Sequence, residues 1–145
     1  MGIKDANNMG AAMAPAFVDT LISHFQDTGR SPSYYDAIIS GDLGHIGKES
    51  DIDIAKSKGY NIKSNYNDCG VLIFDKNAQD THSGGSGCAC CGTVFSGYFF
   101  KQLKNKKINK ILLIATGALM NSTTSQQGES IPGIAHAISI EMEKG

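Results

Sequence analysis

At 145 residues, 41% of them hydrophobic, the chain has the size of one domain and can bury roughly two thirds of its unfolded surface. A net charge of −1, with basic residues gathered only between Lys101 and Lys110, gives no electrostatic footing for nucleic acid. No apolar run nears the ~20 residues that span a bilayer, and the polar opening Met1–Gly10 has no signal-peptide pattern, so synthesis in the cytosol and at most peripheral membrane association are expected.

From Gly10 to Thr28 the apolar residues Ala14, Phe17, Val18, Leu21 and Phe25 recur every three or four positions, which predicts an amphipathic helix closed by Gly29. His24, beside Phe25, is expected to be solvated or to face the dipole at the helix end. Tyr35–Ser40 reads as a short buried strand. It leads into Gly41-Asp42-Leu43-Gly44-His45-Ile46-Gly47, a glycine-rich segment of the kind that carries ligand groups in open α/β sheets, with Asp42 and His45 as its chemically capable members. Ser50 and Asp53 suggest the start of a second helix that ends at Gly59. A brief strand is expected within Asn61–Ser64, a turn at Asn67-Asp68-Cys69-Gly70, and a strand at Val71–Phe74.

The most informative stretch is Thr81-His82-Ser83-Gly84-Gly85-Ser86-Gly87-Cys88-Ala89-Cys90-Cys91-Gly92. Gly84, Gly85 and Gly87 let the backbone take positive φ and approach a neighbour closely. The small apolar residues that follow suggest delivery into a helix N-terminus, whose free N–H groups favour an anion. A tight turn into a buried helix explains the same pattern. Cys91, Phe95, Tyr98, Phe99 and Leu103 trace that helix, and Lys104–Lys107 suit its C-terminus. Ile108–Ala115 is a continuous apolar run expected to be a central strand buried on both faces. A polar loop from Thr116 to Ser130 and a last strand, Gly133–Met142, complete the chain, with His136 a satisfied core or edge histidine. The alternation predicts an α/β fold: a mostly parallel sheet of three to five strands with an antiparallel edge strand, flanked by helices.

Cys88, Cys90 and Cys91 are too close together for zinc-type pairing with the distant Cys69, and cytosolic thiols stay reduced, so small buried side chains are their expected role and no metal site is expected.

Several blocks, in order along nearly the whole chain, resemble the C-terminal part of the stage V sporulation protein AD family. They are Gly10-Ala11-Ala12-Met13-Ala14-Pro15-Ala16, Asp27-Thr28-Gly29-Arg30-Ser31-Pro32, Asn67-Asp68-Cys69-Gly70, Gly84-Gly85-Ser86-Gly87-Cys88-Ala89-Cys90, Gly117-Ala118-Leu119, Ser125-Gln126-Gln127-Gly128-Glu129-Ser130-Ile131-Pro132 and Ile134-Ala135-His136. The resemblance implies a thiolase-like half fold. It also implies binding of dipicolinic acid, the pyridine dicarboxylate of bacterial endospores, with or without calcium. The expected setting is the forespore or spore, peripheral at the inner membrane, beside other stage V sporulation membrane proteins that take the ligand up and release it at germination. Because family members are about twice as long, residues 1–145 are expected to be a C-terminal thiolase-like fragment, lacking the first half and a strand ahead of Met1-Gly2-Ile3-Lys4.

The expected ligand-binding residues are His82, Ser83, Gly84, Gly85, Ser86 and Gly87 of the central loop, with Asp42 and His45 of the earlier one. No catalytic residue and no cofactor are expected. His82-Ser83-Gly84-Gly85 departs from the His-Pro pattern of acyl-transferring thiolase-like enzymes, and the half that would carry a nucleophile is expected to lie outside these residues. Alternatives are one half of such an enzyme, with His82 or His45 as base or oxyanion donor, and a docking subunit of a spore membrane channel complex.

Overall fold

The computed structural model describes residues 4, 5 and 7–143. The expectation resting on Met1-Gly2-Ile3 lies outside the described residues. Helix α1 (Met9–Thr28) begins where the Asn8 side chain accepts the Ala11 N–H at 3.1 Å and ends at Gly29, whose φ of 68° is the left-handed conformation that stops a helix. Strand β1 (Ala37–Ser40) follows, then α2 (Gly44–Ser57), β2 (Tyr66–Asp68) and the single turn α3 (Cys69–Leu72). After the long glycine-bearing connection, α4 (Cys90–Val94) runs through a π turn (Phe95–Phe99) into α5 (Phe100–Lys104). Strand β3 (Lys110–Ala118), the short α6 (Ser122–Gln126) and β4 (Gly133–Glu141) complete the order.

The four strands form one sheet in the order β2-β1-β3-β4; β1 is parallel to both neighbours, and β4 joins β3 antiparallel at the edge. This is the expected α/β class, with the expected run inside the sheet. Alternate side chains of β1 and β3 enter two cores. Ile38, Leu112 and Ile114 meet Phe17 and Leu21 of α1, whereas Ile39 and Ile111 meet Val94, Phe99 and Leu103 on the opposite face. A strand buried on both faces cannot alternate in polarity, which is why Ile111–Ile114 is uninterruptedly apolar.

Local expectations fail where a tertiary partner intervenes. Helix α2 starts six residues before Ser50, whose hydroxyl instead donates to the Ile46 carbonyl at 2.9 Å. The paired strand is Tyr66–Asp68, not Asn61–Ser64. Val71–Phe74 is no strand: Val71 and Leu72 lie in α3, and Leu72, Ile73 and Phe74 are partly exposed. Strand β3 continues past Ala115 because β4 offers it a partner as far as Ala118. The helix after the glycine loop buries Cys90 and Val94, then Phe99 and Leu103, leaving Tyr98 half exposed. The five-residue step from Val94 to Phe99 is the π turn, which rotates the buried stripe away from the one a regular helix predicts. His24 is partnered rather than free, its Nε2 lying 2.6 Å from the Tyr35 hydroxyl. His136 sits exposed on the edge strand β4.

Candidate functional site

The candidate site is built on a buried carboxylate. Asp68 ends β2, has no exposed surface, and accepts four hydrogen bonds: from the Ser40 hydroxyl at 2.6 Å, from the N–H groups of Leu43 and Gly44 at 2.9 Å each, and from the Val71 N–H at 3.1 Å. One side chain therefore caps both α2 and α3 and holds the loop after β1 against the end of β2. This explains why α2 starts at Gly44: its cap comes from another element, and no local residue needs to supply it.

Behind Asp68 lies a buried polar chain. The Ser40 hydroxyl is 2.8 Å from the Tyr66 hydroxyl, which is hydrogen-bonded in turn to Asp51 of α2. Burial pushes the Asp51 carboxyl up to about 9, so the group is neutral at pH 7. A neutral Asp51 lets every hydroxyl in the chain donate towards the Asp68 carboxylate. It also suits Asp51 Oδ1, which has no hydrogen-bond partner among the described residues. A carboxyl that holds its proton to about pH 9 when folded and releases it near pH 4 when unfolded stabilises the fold fully below pH 4. That contribution declines as the pH rises towards 9. In urea melts between pH 5 and 9, stability should fall more steeply in the parent than in Asp51→Asn; parallel profiles would show that Asp51 is ionised in the fold.

Onto this base the glycine loop is clamped by backbone. The Ser83 carbonyl accepts the His45 N–H at 2.7 Å, and the Gly85 N–H donates to the Gly70 carbonyl at 2.7 Å. The Gly87 N–H donates to Asp42 Oδ2 at 2.9 Å. Gly84 has a φ of 118°, and a Cβ there would lie 2.5 Å from the Gly70 carbonyl oxygen; one on Gly70 would lie 2.3 Å from that of Gly85. The loop's glycines thus serve chain-to-chain contact, and the N–H groups of Gly84, Gly85 and Gly87 are already engaged.

Between this loop and the starts of α1 and α2 lies a cleft of about 290 Å³. Of the expected site residues, Asp42, His82, Ser83, Gly84, Gly85 and Ser86 line it; Gly87 touches it only through its bond to Asp42. His45 takes part through its backbone, as the first turn of α2 rather than as part of a loop, and is absent from the lining. The helix starts at the cleft are those of α1 and α2, contributing Asn7–Gly10 and Leu43, Gly44 and Ile46; α4, into which the loop leads, does not line it. Burial raises the Asp42 carboxyl above its ordinary range against the opposing pull of the Gly87 N–H. His82 has a φ of 50° and a side chain 90% exposed, with Nδ1 3.7 Å from Asp80 Oδ1.

Sequence reasoning passed over Asp68, Gly70 and the Asn7–Asn8 wall. For Asp68 a signal was present: an Asp directly ahead of Cys69-Gly70-Val71 is a helix N-cap in type, yet the four apolar residues from Val71 read more strongly as strand.

The membrane expectation stands in its narrow form: among the described residues no helix is long and apolar enough to cross a bilayer. The cysteines divide, with Cys69 and Cys90 buried as expected, Cys91 half-buried and Cys88 exposed. Among the described residues no cluster of three or more His, Cys, Asp or Glu is placed to hold a metal ion.

Two comparisons with known proteins bear on the chain. The family model described as stage V sporulation protein AD matches residues 1–141. Stage V sporulation protein AD of Bacillus subtilis (strain 168) is 44% identical over 145 residues, which is all of this chain and 43% of that protein. The chain therefore spans less than half the length of this relative, and within that span the two sequences match from end to end. On these matches, the chain belongs to the stage V sporulation protein AD family.

Proposed function

We propose that this chain supplies part of a binding site for dipicolinic acid, taken as its calcium chelate, in a sporulation protein with a thiolase-like fold. Membership of the family supports the sporulation role. The observation that carries the site is the cleft, which draws six of the eight expected residues onto one surface. Its titratable lining residues are Asp42 and His82, with no Lys or Arg among the residues that line it. A free dicarboxylate dianion would meet Asp42 without a compensating cation. The neutral calcium chelate removes that repulsion and lets the hydroxyls of Ser83 and Ser86 and the carboxyl of Asp42 act as the hard oxygen donors that calcium prefers. Action at the spore inner membrane, beside other stage V sporulation membrane proteins in uptake and release, belongs to the same reading.

We take the site to bind without turnover. Acyl transfer by a thiol would need a base beside it, and His82 is exposed with Asp80 as its neighbour. Titration calorimetry tests the reading. Dipicolinate with equimolar calcium should bind more tightly than dipicolinate alone, and Asp42→Asn should narrow that gap. His82→Ala should weaken binding by about 1–3 kcal/mol if its ring donates to the ligand carboxylate. Unchanged affinity in both variants, with intact melts, would take the ligand out of this cleft.

A further inference from the structure

We propose that His24 is a pH-sensitive latch: as a neutral acceptor it orients the Tyr35 phenol so that Arg30 ties the end of α1 to the edge strand β4, and protonation in mildly acidic solution loosens that tie. The parts come from three places in the fold. His24 lies near the end of α1, Arg30 and Tyr35 flank the short turn Pro32–Tyr34, and Ser139 and Glu141 stand on β4. The Tyr35 hydroxyl, on a buried ring, lies 2.6 Å from His24 Nε2, accepts from Arg30 Nη1 at 2.8 Å, and is 3.3 Å from Ser139 Oγ. Arg30 Nη1 also donates to Ser139 Oγ at 3.0 Å, and Arg30 Nη2 pairs with Glu141 Oε1 at 2.9 Å. Glu141 accepts two hydroxyls besides, that of Tyr34 on Oε2 at 2.9 Å and that of Ser139 on Oε1 at 3.2 Å.

Proton accounting gives these bonds their direction. The phenol has one proton, and the shortest contact, to His24 Nε2, takes it only when that nitrogen is bare and the ring is neutral. Ser139 gives its own proton to Glu141, so Arg30 Nη1 finds one acceptor in Tyr35 and another in Ser139. An imidazolium reverses the first bond. Its Nε2–H becomes a donor, the phenol proton is left to Ser139 across the longest contact of the set, and two cations share one phenol oxygen. Asp27, three residues along α1, attracts the imidazolium, whereas Glu141 is already held by Arg30 and Tyr34. Lys110 of β3 adds a further cation nearby, its Nζ 3.7 Å from the centre of the Tyr34 ring. Partial burial and Arg30 outweigh Asp27 and hold His24 below its ordinary range. His136 of β4 shares the opposite face of the strand with Ile140 and is not a member of this chain of bonds. A histidine lowered in the fold stabilises it fully above the unfolded value of about 6.5, and that contribution is lost as the pH falls towards the folded value. Because β4 is paired on one side only, the loss is expected at its end, where the Met142 N–H donates to the Asn109 carbonyl at 2.9 Å.

Histidine NMR titration and amide exchange on the 145-residue chain between about pH 5 and 8 test the latch. The His24 signal, assigned by its disappearance in His24→Gln, should titrate below the midpoint it shows in the urea-denatured chain. Protection of the Met142 amide, corrected for the intrinsic exchange rate, should fall as the pH drops, by up to the ratio of those two acid constants. The Leu112 amide, in the strand paired on both sides, should keep its protection over the same range. His24→Gln should give a flat Met142 profile, since its side chain has no proton to gain in this range. Arg30→Gln should raise the His24 midpoint, because the competing cation is gone, and should abolish the pH dependence at Met142. A His24 midpoint at or above that of the denatured chain, or parallel Met142 profiles in the parent and His24→Gln, would overturn the proposal and leave the His24–Tyr35 bond a fixed contact.

Discussion

Asp68→Ala should lower stability by about 3–5 kcal/mol, a large share of the 5–15 kcal/mol that holds an ordinary domain folded. The substitution leaves the N–H groups of Leu43, Gly44 and Val71 and the hydroxyl of Ser40 without their acceptor, in a place with no exposed surface at Asp68. Each stranded buried donor costs about 1–3 kcal/mol, and the total falls short of the sum because water can enter the space the carboxylate leaves. Asp68→Asn keeps the shape but turns an amide NH₂ towards donors, so it should lose stability in the same direction by a smaller amount. Chemical denaturation gives the magnitude. Hydrogen exchange gives the location, with protection lost first at Leu43, Gly44 and Val71. A loss below about 1 kcal/mol for Asp68→Ala would mean that the carboxylate does not clamp the two helix starts.

Gly70→Val should cost at least about 3 kcal/mol, because its Cβ would press on the Gly85 carbonyl oxygen at 2.3 Å and on Asp68 Oδ2 at 2.9 Å. Neither neighbour can yield without giving up a bond of the clamp. Gly84→Ala should approach the same loss, since left-handed strain at φ 118° adds to a 2.5 Å contact with the Gly70 carbonyl. Gly87→Ala should cost only about 1 kcal/mol: its φ is 113°, but nothing lies within 4 Å of the position a Cβ would take. At Gly85 the intruding Cβ meets the side chains of Ile73 and Phe74, which are partly exposed and can turn aside. A melt series on Gly70→Val, Gly84→Ala, Gly85→Ala and Gly87→Ala therefore separates backbone clamping from ligand space. Equal losses at all four positions would mean that the loop packs less specifically than its contacts indicate.

These effects show where sequence reasoning was adequate and where it was not. Helix α1, the pair β1 and β3, and the antiparallel edge β4 were legible because their determinants are local: a 3.6-residue apolar period, a β-rich apolar run, and a glycine in the left-handed conformation at the helix end. The glycine loop and Asp42 were legible as a candidate site for the same reason, since glycine and short polar residues next to a strand leave a local mark. Family membership too was readable from ordered motifs before any coordinate was known.

Three features were decided only by tertiary structure. The start of α2 is set by a carboxylate 24 residues away from Gly44, so no local capping signal at Gly44 is required and the one at Ser50 goes unused. The apolar face of the helix after the loop shifts at the π turn, where a five-residue step rotates the buried stripe, and a search for regular periodicity cannot foresee that step. The purpose of the glycines was ambiguous in the sequence, because positive φ and close approach serve a ligand and a neighbouring backbone equally well. The fold resolves it for Gly44, Gly70 and Gly84, whose missing Cβ atoms make room for the carbonyls of Ser83, Gly85 and Gly70. Composition along the chain records that a close approach is permitted; which segment makes it depends on contacts between residues far apart in sequence.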